Sequence, residues 1–119
     1  MSETQKNKPY DLEKRTFLFA KRSMGYFKTP PRTLPNIEIG RQGVRSSGSV
    51  GANFIEANEA LSRKDFMLRI KICRKEAKET IYWLRLSEPS EAQEREQKSL
   101  IIEATELMKI FGSIIEKSK

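Results

Sequence analysis

The chain has 119 residues, of which 37% are hydrophobic and 33% charged, a size for one domain and too polar for a membrane-embedded one. It contains no histidine and a single cysteine, Cys73, which excludes Ser-His-Asp and Cys-His catalysis, His-ligated metals, ribonucleases built on an arginine–histidine pair, and any disulfide within the chain. Lys and Arg outnumber Asp and Glu by 23 to 16, a net charge of +7 that favours an anionic partner.

The excess of positive charge is concentrated. Basic residues lead acidic ones by 8 to 3 over 1–35 and again by 8 to 3 over 62–86, but trail by 2 to 3 over 36–61 and by 5 to 7 over 87–119. No apolar run is longer than Phe17-Leu18-Phe19-Ala20, too short to span a bilayer. Residues 1–10 hold no apolar signal region, and with the lone thiol this predicts the reducing cytoplasm.

Residues 1–9 are polar and read as a flexible tail, with the domain proper over 10–119. Asp11 can cap a first helix running to about residue 28, whose apolar positions Phe17, Ala20, Met24 and Phe27 fall at helical steps, with Leu12 and Phe19 widening the stripe. Thr29-Pro30-Pro31 ends it. A second helix is expected from near Pro35, a residue tolerated in a first turn. Its middle is rich in glycine and serine, each glycine costing about 1 kcal/mol against alanine in a helix. Gly43, Ser47 and Gly51 recur every fourth residue, however, so a helix would put them on one face, where a neighbour can approach closely.

Ser62, with Asp65 three residues on, resembles a capping box and opens a third helix. Phe66, Ile70, Cys73, Ala77, Ile81 and Leu84 follow at steps of 4, 3, 4, 4 and 3, the cleanest amphipathic pattern in the chain. Ser87-Glu88-Pro89-Ser90 breaks it, and a last helix over about 91–116 turns Ile101, Ala104, Met108, Phe111 and Ile115 inward. No segment alternates with period two. The fold class is all-α, an antiparallel up-down four-helix bundle.

Three features bear on chemistry. The segment from Gly43 to Val50 superficially resembles a phosphate loop, but Ser49 stands where lysine is needed and no buried strand precedes it. Glu56 and Glu59 on the second helix and Glu76 and Glu79 on the third form two i, i+3 pairs that could hold Mg²⁺ if they converge, the arrangement of an all-α nucleotide pyrophosphatase, although Lys75 and Lys78 are placed to neutralise them. Tyr82 and Trp83 could stack on a base or fill a bundle end. The basic residues are patterned too. Lys64, Lys71, Lys75, Lys78 and Arg85 follow steps of 7, 4, 3 and 7 away from the apolar stripe of the third helix, and Lys14, Lys21 and Lys28 recur every seven residues on the first, with Arg15 and Arg22 beside them. Such stripes poor in acids match phosphates better than an ordinary solvated face, which mixes both signs.

The stretch Arg45-Ser46-Ser47-Gly48-Ser49-Val50-Gly51-Ala52-Asn53-Phe54-Ile55-Glu56-Ala57, then Ser62-Arg63-Lys64-Asp65-Phe66, Lys75-Glu76-Ala77-Lys78-Glu79-Thr80 and Tyr82-Trp83-Leu84, resembles the small bacterial four-helix-bundle proteins named after the 23S rRNA intervening sequences that can encode them. The accessory variability-determinant proteins of diversity-generating retroelements are similar. The resemblance implies an up-down bundle assembled as a ring, typically a homopentamer, with no established enzymatic activity and no cofactor. It also gives Arg45, Asn53, Glu56 and Glu76 a structural role as an inward-facing polar cluster. Three functions stay open: a non-enzymatic oligomer binding RNA or DNA through its basic helix faces, a scaffold with a protein partner and no nucleic acid, and an Mg²⁺-dependent nucleotide hydrolase using the four glutamates.

Overall fold

The computed structural model describes residues 9–119, with side chains from Leu12 onward. Apart from Pro9, the tail expected over 1–9 lies outside them. Four helices follow in order: α1 (Pro9–Phe27), α2 (Leu34–Asn58), α3 (Arg63–Leu86) and α4 (Glu94–Lys117), the last preceded by one 3-10 turn (Glu91–Gln93). Their ends are set by local chemistry. Helix α1 begins at Pro9, so Asp11 lies in its first turn and is not the cap. The Thr33 hydroxyl accepts from the Asn36 amide at the start of α2, with Pro35 in the first turn. The Ser62 hydroxyl accepts from the Asp65 amide, as the capping pattern predicts.

Pairs between helices define an antiparallel bundle. Asn58 donates to Glu13 across α1 and α2; Ser46 meets Thr80, and the Cys73 thiol donates to the Val50 carbonyl, across α2 and α3. Arg63 donates to the Ser118 carbonyl at the far end of α4, and Arg22 to Glu96 across α1 and α4. Each helix thus runs against both of its neighbours, which places α1 diagonal to α3.

The core holds Phe19, Tyr26, Val50, Phe54, Ile70, Leu84, Leu100, Leu107, Phe111 and Ile115. In α1 the buried side chains are Leu12, Thr16, Phe19, Ser23, Tyr26 and Phe27; of the predicted stripe Phe27 is buried and Ala20 half-buried, but Phe17 is 61% exposed and Met24 44%. Both lines have helical spacing, and the buried one is narrower. The Thr16 side chain returns its hydroxyl to the Leu12 carbonyl at 2.7 Å and lies 3.0 Å from where a Cβ on Gly51 would stand. Small residues on both helices therefore let α1 and α2 approach closely, which offsets the weak helix propensity of α2. In α4, Leu100 and Leu107 are fully buried, while the predicted Ile101 and Met108 pack on the margin of the core.

Candidate nucleic-acid interface

Lys64, Lys71, Lys75, Lys78 and Arg85 are all exposed on the outer side of α3, opposite the line Ile70, Cys73, Ala77 and Leu84 that anchors the helix in the core. Among the described residues Lys75 alone of the five has a carboxylate within ion-pair range, Glu76 at 3.7 Å. The stripe extends about 32 Å from Lys64 to Arg85 at 1.5 Å per residue, the length of about nine base steps of a duplex. Leu68 and Tyr82 are exposed between the cations, and Leu86 just beyond Arg85.

Lys14 and Lys21 on α1 and Lys28 just past its end are likewise exposed, and the Lys21 ammonium sits 5.9 Å from the centre of the Phe17 ring. The arginines beside them turn the other way. Arg15 grips Glu103 with two hydrogen bonds of 2.7 and 2.9 Å and reaches Glu106 at 2.7 Å; Arg22 holds Glu96 at 3.1 and 2.9 Å and donates to Ser99. The hydrogen bonds it donates to Glu103 raise the Arg15 guanidinium above its ordinary value, and those donated to Glu96 do the same for Arg22. Both arginines are committed to the seam with α4. Because α1 and α3 are diagonal, the two lysine stripes face opposite sides, and one nucleic-acid strand cannot lie along both in the same subunit.

The polar cluster expected of Arg45, Asn53, Glu56 and Glu76 divides. Arg45 reaches Glu79 at 3.0 Å and Glu76 at 3.7 Å. Asn53 pairs separately, accepting from Arg69 at 3.0 Å and donating to the Ser49 carbonyl at 2.9 Å. Glu56 is exposed, with no ion pair among the described residues. A tight turn at Leu61 sets this register, since each α2 residue meets the α3 residue about equally far beyond the turn: Asn53 lies level with Arg69, Arg45 with the turn holding Glu76 and Glu79, and Glu56 near Met67. That rule identifies Arg69 and Glu79 as the partners that residue type alone does not reveal. It also separates the two glutamate pairs, and among the described residues no three acidic or thiol groups gather where a cation could be held.

Burial pushes the Glu76 carboxyl up, and the neighbouring Glu79 charge pushes it further. Burial acts on Glu79 in the same sense, but Glu76 and the Arg45 guanidinium outweigh it and hold that carboxyl below the usual range. As pH falls, Glu76 therefore takes up a proton before Glu79 does. Burial also drives the Cys73 thiol up to about 12, which leaves no thiolate for chemistry near neutral pH.

The model of the 23S rRNA-intervening sequence protein family matches residues 9–113. The chain belongs to that family. A solved structure is similar: a crystal structure of a protein with unknown function from the S23 ribosomal protein family of Bacteroides thetaiotaomicron VPI-5482, 32% identical, superposing with a TM-score of 0.78 over 91% of this chain and 97% of that one. No curated protein matches the chain. No helix among the described residues is long and apolar enough to cross a membrane.

Proposed function

We propose that this 23S rRNA-intervening sequence family member is a non-enzymatic, cytoplasmic oligomer that binds RNA or DNA with little sequence preference, chiefly through the α3 stripe. The observation that carries this reading is the row Lys64, Lys71, Lys75, Lys78 and Arg85, exposed and nearly free of acidic partners, on a chain whose half-buried α1 arginines, Arg15 and Arg22, are paired with α4. Lysines read phosphate as point charges, so they give affinity without base discrimination. Lys14, Lys21 and Lys28 form a second stripe on the opposite side, available to a separate strand or to a neighbouring subunit's strand.

Assembly multiplies such contacts, and a ring of five is the form the family resemblance favours. Exposed Met24 on α1 and exposed Ile37 and Val44 on α2 line one groove, and Phe17 and Ile55 are exposed on the same two helices, apolar surface suited to contact with a second copy. Binding to random RNA and DNA, measured by fluorescence anisotropy over a range of salt, should weaken with a log–log slope of about −0.9 per duplex phosphate neutralised. The variant Lys71→Glu, Lys75→Glu, Lys78→Glu should lose binding while keeping parental helicity and mass. A parent that does not bind at low salt would leave the protein-scaffold reading, which the exposed Leu68 and Leu86 on the same face would then serve.

A further inference from the structure

The α3 stripe is not uniform. Near its C-terminal end a groove of about 700 Å³ opens between α3 and α4, walled on one side by Lys75, Lys78, Ile81, Tyr82 and Arg85 together with Glu79, whose carboxylate Arg45 holds at 3.0 Å, and on the other by Thr105 and Met108, a volume typical of small-molecule sites. We propose that this groove takes an unpaired nucleobase stacked on Tyr82, with the flanking phosphates on Lys78 and Arg85, so that the protein prefers single-stranded nucleic acid to duplex. The inference rests on the nucleic-acid reading above and adds to it the form of the ligand.

Four observations converge on Tyr82. It is 58% exposed, although it belongs to a helix with a full apolar stripe elsewhere. Its ring stands edge-to-face against Trp83, centroids 4.9 Å apart and planes at 78°, so a neighbouring aromatic limits its motion and stacking would cost little further ordering. Lys78 precedes it by one helical turn and Arg85 follows by nearly one, placing a cation about 5 Å along the axis on each side. The opposite wall is apolar and adaptable at Met108, while the Thr105 hydroxyl already donates to the Ile101 carbonyl at 2.7 Å. That wall therefore offers no free donor to a base edge, and stacking there would be tolerant of sequence. Bases in a duplex present no free face, whereas those of a single strand do, and alternating cations with an aromatic platform is the chemistry of single-strand binding.

The test compares two dodecamers of equal charge, oligodeoxyadenosine and its abasic counterpart, by anisotropy at low salt. The parent should bind the base-bearing strand about tenfold more tightly, in keeping with one to two stacked bases. Tyr82→Ala should bring that ratio close to one, and Tyr82→Phe should retain it. Equal binding of the two strands by the parent overturns the groove while the charge-based reading stands; binding of neither overturns both. A Tyr82→Ala variant whose mass falls in light scattering as its binding is lost would assign Tyr82 to a subunit contact, and would also overturn the proposal.

Discussion

Gly43 and Gly48 stand five residues apart on α2 and meet opposite surroundings. A Cβ at Gly43 would lie 2.2 Å from the tip of the buried Phe27 ring and within 2.8 Å of both adjacent ring atoms, whereas one at Gly48 would meet nothing within 4 Å. Alanine gains about 1 kcal/mol over glycine in a helix interior, but displacing a packed ring costs about 1–3 kcal/mol. Gly48→Ala should therefore raise stability in urea melts by up to about 1 kcal/mol, and Gly43→Ala should lower it by about 1 kcal/mol net. A stabilised Gly43→Ala would mean that Phe27 swings easily into the open groove beside it, and that close approach is not why this position is glycine. Both glycines look alike in the sequence; they differ only in which face of α2 they occupy.

Between elements, the α2–α3 seam carries a buried acid, Glu76, with 8% of its side chain exposed. Burial and the Glu79 charge raise its carboxyl above the ordinary value. A group raised on folding stabilises the native state below its unfolded pKa, and that stabilisation is lost as pH rises through the folded value. Glu76→Gln mimics the protonated form, so its stability relative to the parent should improve on going from pH 4 to pH 7, read from paired urea melts. A variant that instead falls further below the parent at pH 7 would show that the Arg45 ion pair outweighs desolvation. Much of this level was legible in the sequence: the prolines at 30, 31 and 89, the Ser62 cap and the period of α3 set the number and order of helices. The face of α1 was not, because two lines of residues share helical spacing and the buried one includes Thr16 and Ser23. Hydrophobicity selects Phe17 and Met24; close packing against Gly51 selects the small hydroxyl residue. The same limit hid the partners at the polar seam. The family resemblance grouped Arg45, Asn53, Glu56 and Glu76 in one cluster, whereas the register imposed by the turn at Leu61 delivers Glu79 as well as Glu76 to Arg45 and Arg69 to Asn53. The basic stripe of α3 was fully legible, because its positions are simply those that the apolar stripe leaves.

At the scale of the whole molecule, the diagonal placement of α1 and α3 puts a row of cations on each of two sides, and the side of α1 and α2 also exposes apolar area beside its lysines. On that side, Met24, Phe27, Ile37 and Val44 with Pro30 line a groove of about 420 Å³, edged by Lys28, Arg32 and Arg41. A monomer would leave this seam, together with Phe17 and Ile55, in water, and apolar surface of that extent is characteristic of an interface. A ring joins two different surfaces of the same subunit, head to tail, so the seam would meet a region of the next copy other than itself. Charge placed in a desolvated contact is costly unless it is paired, whereas a lysine at a half-exposed helix position of a monomer would cost little. The double variant Met24→Lys, Val44→Lys should therefore retain helical content and drop to a monomer in light scattering, because neither residue belongs to the core of the subunit. It should also weaken nucleic-acid binding without touching the α3 stripe, since each strand would then meet one row of cations instead of several. If the double variant keeps the parental mass, the seam is not the subunit contact, and the exposed Leu68 and Leu86 of α3 become the surface to mutate next.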